Sequence, residues 1–172
     1  RKAESVSEAA RPFEHMDTPL PPQDGRFREP TDVAIDSAGN IYITDGYINS
    51  RVAKYDYNGD WVKSWGGPGS GPGQFRLPHS IAIDKDDNVY VLNWKRGGAD
   101  SGTSVLKYDE NLKLLSKFKY GYYKGREGDF SGKPGGIAVD SVGNIYISDT
   151  ANHRIQKFDA SGKFVKAWGS YG

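Results

Sequence analysis

The sequence predicts an all-β fold built from repeated four-stranded units, and three observations lead to this prediction. Apolar and polar residues alternate in short segments such as DVAID at 32–36 and NIYITD at 40–45, which is the period of a half-buried strand. The composition, with 22 Gly and 11 Tyr against a single Met, suits pleated strands and tight turns better than helices. The third observation is an internal repeat along most of the chain.

The repeat begins with PTDVAID at 30–36, PHSIAID at 78–84 and PGGIAVD at 134–140. Each copy continues with an Asn-containing turn and three more strands, and the spacing from Asp36 to Trp65 matches that from Asp140 to Trp168 within one residue. Four-stranded units that recur at about 40 to 60 residues are typical of β-propeller blades. The prediction is therefore a propeller segment of three blades, at about 30–66, 78–119 and 134–169 within residues 30–172, preceded by an irregular arm at residues 1–29.

Two sets of repeated residues have a structural interpretation. Trp65 and Trp168 end their fourth strands, and we predict that they are packing anchors within or between blades, because large aromatic side chains dominate buried contacts. Asp45 is followed by Asn49 and Arg51, and this polar set predicts a turn held by a carboxylate. The same polar set recurs in the third unit as Asp149, Asn152 and Arg154.

Charge and composition exclude several classes of partner and chemistry. The formal net charge is +1, and the apolar runs are far too short to cross a membrane, so we expect neither nucleic acid nor a membrane span. The absence of Cys excludes disulfides, thiolate metal sites and thiol catalysis. The candidate interaction residues are instead aromatic side chains in or near loops: Trp94, Tyr120, Tyr122 and Tyr123.

Two longer stretches resemble a known family. GPGQFRLPHSIAID at 71–84 and GNIYISDTANHRIQKF at 143–158 resemble the repeat of the NHL six-bladed propellers. Within that family, PTDVAID followed by DGYINSR at 45–51 looks most like peptidyl-α-hydroxyglycine α-amidating lyase and its bacterial relatives. Since three blades supply about half of such a ring, the resemblance implies that further blades, or copies of this chain, are partners.

The resemblance to the lyases also implies a site. These enzymes hold a zinc ion with three His residues, use a Tyr near the metal as base and hold the substrate with an Arg. By motif position, His79 corresponds to a zinc ligand and Tyr47 to the catalytic Tyr, whereas Trp94 lies near the expected Arg, for which Arg96 is the substitute. The other blades lack a PH pair, with Thr31 after Pro30 and Gly135 after Pro134, although in the family neither blade is clearly one that supplies a ligand. His79 alone is short of the usual three protein ligands.

Two hypotheses remain open from the sequence. The first is a non-catalytic module, extracellular or periplasmic, that binds a partner such as a peptide or assembles with further blades or copies of itself. The alternative is part of a zinc-dependent amidating lyase, which releases a peptide amide and glyoxylate and whose other metal ligands lie outside this segment. His79 distinguishes them, because in the first hypothesis it is a partly buried, hydrogen-bonded side chain without a metal.

Overall fold

The computed structural model describes residues 24–95, 102–130 and 132–172, so most of the predicted arm at 1–29 lies outside the described residues. One 3-10 turn, Thr150–Asn152, is the helical element of the described part, where no helix is long and apolar enough to cross a membrane. The strands are β1 (Asp32–Ile35), β2 (Ile41–Asp45), β3 (Arg51–Tyr55), β4 (Trp61–Gly66), β5 (Pro78–Ile83), β6 (Val89–Lys95), β7 (Gly102–Tyr108), β8 (Leu114–Tyr120), β9 (Ile137–Val139), β10 (Ile145–Asp149), β11 (Arg154–Phe158) and β12 (Phe164–Trp168).

The strands form three antiparallel sheets, each of four strands paired in chain order. We call them blade 1 (β1–β4), blade 2 (β5–β8) and blade 3 (β9–β12). The first strands of successive blades lie side by side, β1 beside β5 and β5 beside β9, so blade 2 stands between the other two. The all-β fold with three propeller blades, predicted from the repeat, is confirmed.

The turn between the first two strands of blade 1 explains the repeated Asp. The carboxylate of Asp36 accepts hydrogen bonds from the backbone N–H and the side-chain amide of Asn40, each at 2.8 Å, and from the Tyr42 hydroxyl at 3.0 Å. Gly39 supplies the positive φ of 82° that the turn requires. Lys54 lies 4.9 Å from the centre of the Tyr42 ring. The same arrangement recurs at Asp84, Asn88, Tyr90 and Lys107 and at Asp140, Asn144, Tyr146 and Lys157.

Two hydrophobic layers hold the blades together. For each blade, we call the side that faces the preceding blade its leading face and the side that faces the next blade its trailing face. Between blades 1 and 2, Tyr42 and Val52 of the first trailing face meet Val91 and Tyr108 of the second leading face. The Trp65 ring contacts Tyr42 and Tyr108 edge to face, at 6.1 and 5.9 Å between centroids. Its predicted role as a packing anchor is confirmed.

The second layer repeats the first between blades 2 and 3. Tyr90 and Val105 of the blade 2 trailing face are fully buried against Ile147 and Phe158 of the blade 3 leading face. Phe130, from the loop before blade 3, stacks on Phe158 at 6.0 Å. Because burying such a side chain fully contributes about 1.5–3 kcal/mol, these layers are the main stabilisation of the sheet pairs.

Polar contacts fix the inner strands relative to one another. Asp32 at the start of β1 accepts hydrogen bonds from the Ser80 hydroxyl at 2.5 Å and the Ile81 N–H at 3.2 Å. Ser80 in turn accepts from the Ile137 N–H of β9 at 3.2 Å. A Cβ added at Gly46 would lie 2.1 Å from the Pro78 carbonyl oxygen, so the loop after β2 touches the backbone of blade 2. These contacts bring one end of all three blades together.

The predicted carboxylate turn is also present at this end. Asp45 is fully buried and accepts hydrogen bonds from Asn49 at 2.5 Å, Arg51 at 3.1 Å and the Arg28 N–H at 2.9 Å. Burial raises the pKa of Asp45, although the donors oppose that shift. In blade 3 the carboxylate of Asp149 accepts from Asn152, Arg154 and Gln156. The structural interpretation of both sets is confirmed.

Candidate functional site

Four side chains from three blades meet at the end of the blades where the first strands begin. Tyr47 lies in the β2–β3 connection, His79 is the second residue of β5, Trp94 is near the end of β6, and Lys133 precedes β9. In an antiparallel pair, the start of one strand lies beside the end of the next, which explains why these positions converge. We call these four residues the end cluster.

Lys133 is the residue that connects the cluster. Its ammonium donates a hydrogen bond to the phenol oxygen of Tyr47 and lies 4.5 Å from the centre of the Tyr47 ring and 5.8 Å from that of Trp94. Cation–π contacts of this kind contribute about 0.5–1 kcal/mol at exposed sites and about 2 kcal/mol when desolvated. The half-buried Lys133 therefore holds blade 1, blade 2 and the loop before blade 3 together.

His79 packs against the same Tyr ring and has a defined hydrogen bond. The two rings meet edge to face at 6.1 Å between centroids. The Nδ1 atom of His79 lies 3.0 Å from the carbonyl oxygen of Gly135; since a carbonyl only accepts, Nδ1–H is the donor and Nε2 carries the lone pair of the neutral ring. Burial, and then the positive charge of Lys133, hold the pKa of His79 below its ordinary value.

Trp94 is a largely buried member of the end cluster. Its side chain is 9 % exposed, and within the described residues its indole Nε1 has no hydrogen-bond acceptor. A buried N–H without an acceptor costs about 1–3 kcal/mol. Trp65 Nε1 is unpaired in the same way inside the first hydrophobic layer, so an unpaired indole N–H does not by itself indicate a binding site.

The described residues do not fit a catalytic zinc ion. They contain no group of three or more His, Asp or Glu side chains that could hold a metal. The phenol oxygen of Tyr47 is also in contact with the Lys133 ammonium, a positive charge that would repel a metal ion at that oxygen. The cluster is therefore a cationic, aromatic site.

A family comparison agrees with the repeat. The model of the NHL repeat matches residues 27–55 and 132–158. The chain contains NHL repeats. The two matches cover the first three strands of blade 1 and of blade 3, and blade 2 has the same strand order between them.

Curated relatives of this NHL chain include both a zinc finger protein and a lyase. It is 44 % identical to the B-box type zinc finger protein ncl-1 of Caenorhabditis elegans over 52 residues, which are 30 % of this chain and 6 % of that protein. It is 50 % identical to the probable peptidyl-alpha-hydroxyglycine alpha-amidating lyase pgal-1 of the same organism over 34 residues, 20 % of this chain and 10 % of that one. The matched part thus spans a tenth or less of these relatives' length, and the resemblance to amidating lyases is confirmed at the level of sequence.

A solved structure shows the fold alone. The gluconolactonase XC5397 from Xanthomonas campestris superposes with a TM-score of 0.59 at 15 % identity, over 88 % of this chain and 50 % of that one. The chain therefore spans about half of that propeller-like neighbour.

Of the remaining predicted residues, the three tyrosines lie outside the end cluster. Arg96 lies outside the described residues. Tyr120 packs in the second hydrophobic layer, 4.4 Å from Phe158 between ring centroids, whereas Tyr122 and Tyr123 are exposed on the loop between blades 2 and 3.

The sequence carries no signal for Lys133. The residue before the same Pro is Glu29 in blade 1 and Leu77 in blade 2, so this position has no repeated residue type against which Lys133 would be noticed.

Proposed function

We propose that this chain is a non-catalytic NHL propeller module that binds a carboxylate-bearing peptide segment at the end cluster. The observation that carries the proposal is the Lys133 ammonium, which lies between Tyr47 and Trp94 beside His79. An ammonium has three N–H donors, and Tyr47 accepts one of them. The remaining donors suit a carboxylate, which accepts charge-assisted hydrogen bonds from several directions.

The neighbours of Lys133 favour an organic ligand over a bare anion. Trp94 adds a large, mostly buried ring beside Lys133, and Tyr47 adds a second ring at the same end of the blades. Aromatic side chains such as Trp and Tyr are enriched at protein binding surfaces, where their rings contact apolar groups. A peptide segment supplies both a carboxylate and an apolar side chain.

One observation favours the lyase as a second candidate. Tyr47 and His79, which correspond by motif to a base and a metal ligand, are in direct ring contact. Against this candidate are the missing ligand group among the described residues and the contact between Lys133 and the phenol oxygen. The lyase proposal therefore needs metal ligands from outside these residues.

Isothermal titration calorimetry of the full chain with acetyl-Phe-Ala and with its C-terminal amide tests the proposal. The carboxylate peptide is expected to bind with a Kd on the order of 1 mM or tighter, and the amide at least about tenfold more weakly. Lys133→Gln should abolish the difference, whereas Lys157→Gln, which removes a lysine packed on Tyr146 outside the cluster, should preserve it. Equal binding of both peptides contradicts the proposal. Release of glyoxylate from a peptidyl-α-hydroxyglycine would establish the lyase instead.

The expected extracellular or periplasmic location stays a prediction. Fractionation of cells that express the natural protein, with detection by an antibody against this chain, tests it. Recovery with cytoplasmic markers contradicts it.

A further inference from the structure

The outer faces of blades 1 and 3 repeat the residues that pack between blades inside the chain, and this observation is independent of the end cluster. The blade 1 trailing face, which is covered by blade 2, is formed by Ala34, Tyr42, Val52 and Trp65. The repeat and the strand register place the corresponding blade 3 residues on a face with no neighbour among the described residues: Ala138, Tyr146, Ile155 and Trp168.

The geometry of the two trailing faces agrees as well as their composition. Tyr42 meets Trp65 edge to face at 6.1 Å, and Tyr146 meets Trp168 edge to face at 6.2 Å. Trp65 is half-buried because it contacts Tyr108 of blade 2, whereas Trp168 remains 44 % exposed. The blade 3 trailing face is thus already arranged as one side of a blade–blade layer.

The blade 1 leading face is the other side of such a layer. Ile81 of blade 2 is 4 % exposed in the first layer, but its blade 1 counterpart Val33 is 56 % exposed. Ile35 is 63 % exposed, although its blade 2 counterpart Ile83 is packed in that layer. Exposed apolar faces of this kind mark association sites.

A layer between the two end faces does not need the polar contact that joins blades 1 and 2. Where blades 1 and 2 meet, the side chain of Asp32 accepts a hydrogen bond from the backbone N–H of Ile81. The blade 3 residue that corresponds to Asp32 is Gly136, which has no acceptor side chain. The corresponding N–H, that of Val33, is already bonded to its own neighbour Asp32 at 2.8 Å. A layer between the two end faces would therefore leave neither group unpaired.

We propose that two copies of this chain associate through these end faces. The blade 3 trailing face of each copy covers the blade 1 leading face of the other, so that the two joints are related by a two-fold axis and six blades close into one ring. Trp168 then contacts Tyr55 of the partner subunit as Trp65 contacts Tyr108 within the chain. Closure covers both apolar faces at once, which an isolated chain cannot do.

Sedimentation equilibrium of the full chain over a range of concentrations tests the dimer. We expect a mass of twice 19.0 kDa. Ile35→Glu and Ala138→Glu, one on each end face, should each shift the chain to monomer, because each places a charge in an apolar joint. Leu115→Glu is the matched control, since Leu115 remains 50 % exposed although blade 2 has neighbours on both sides, and this variant should remain dimeric.

Mixing the two disrupting variants gives a second readout. The Ile35→Glu chain keeps an intact trailing face and the Ala138→Glu chain an intact leading face, so an equimolar mixture should form a heavier species that neither forms alone. A wild-type chain that stays monomeric at all concentrations overturns the proposal. A ladder of species that grows with concentration also overturns it, because it indicates an open chain rather than a closed pair.

Discussion

Lys133, just before blade 3, donates a hydrogen bond to the phenol oxygen of Tyr47 in blade 1, although the two blades are not neighbours. The contact spans blade 2, where Trp94 packs against Lys133 and His79 packs against Tyr47. Lys133 therefore supplies the positive charge of the end cluster and adds a contact between blade 1 and the loop before blade 3 to those made by Asp32 and Ser80. Replacement of Lys133 should affect stability, the ionisation of His79 and ligand binding together.

Lys133→Met should lower the free energy of unfolding by about 1 kcal/mol, because it removes a hydrogen bond and two cation–π contacts from a half-buried position. Urea unfolding measured by circular dichroism gives this value. Lys157→Met, which removes a cation–π contact within one blade, should cost less. Equal losses in the two variants would show that Lys133 does not connect the blades.

The imidazole of His79 should titrate below its ordinary pKa of 6.5 in an NMR pH titration, because burial and Lys133 both disfavour the imidazolium. Lys133→Gln should raise that pKa, and Lys157→Gln should leave it unchanged. Between the folded-state pKa and 6.5 the unfolded chain binds more protons, so the free energy of unfolding contributed by His79 rises with pH through this window and is reduced below it. An unchanged His79 titration in Lys133→Gln would contradict the contact between the two charges.

The carboxylates of the β-turns should make the free energy of unfolding depend on pH in the acid range. The hydrogen bond from the Asn144 side chain, followed by that from its backbone N–H, lowers the pKa of Asp140 from 3.8 to about 2. The stabilisation is present above 3.8 and is lost as the pH falls towards 2, since the unfolded chain takes up the proton first. Asp140→Asn should therefore reduce the slope of unfolding free energy against pH in this window, measured by urea unfolding at several pH values. The exposed Asp86→Asn variant is the control, and an equal slope in both would refute the assignment.

Gly46→Ala should be strongly destabilising, by about 2 kcal/mol or more, because its Cβ would meet the Pro78 carbonyl oxygen at 2.1 Å. Gly59→Ala is the contrasting variant: it has open space around its Cβ but a φ of 83°, so it should cost only about 1 kcal/mol of backbone strain. Thermal unfolding of both variants gives the comparison. A Gly46→Ala chain as stable as Gly59→Ala would mean that blades 1 and 2 are not in close contact at this end.

The blades were predictable from the sequence because each strand occurs three times in the same register. The turn carboxylate at Asp36, the alternation in β2 and the position of Trp65 are local patterns, and each copy supports the others. The repeat also placed Tyr47 and His79 at the same end of their blades.

The connecting residue of the site was not predictable in this way. Lys133 lies in a connection that departs from the repeat, and its contact with Tyr47 joins residues 86 positions apart. Tyr120 shows the same limit: an aromatic residue at the end of a strand can point to solvent or into a blade–blade layer, and the packing of Phe130 and Phe158 places it in the layer.

The most direct test of the binding account is an NMR titration of the Trp94 indole N–H resonance, assigned by its loss in Trp94→Phe. We predict that acetyl-Phe-Ala shifts this resonance in a saturable manner, that the peptide amide does not, and that the shift disappears in Lys133→Gln. A Trp94 resonance that the carboxylate peptide leaves unchanged, while other indole resonances move, would place binding elsewhere and contradict the end cluster as the ligand site.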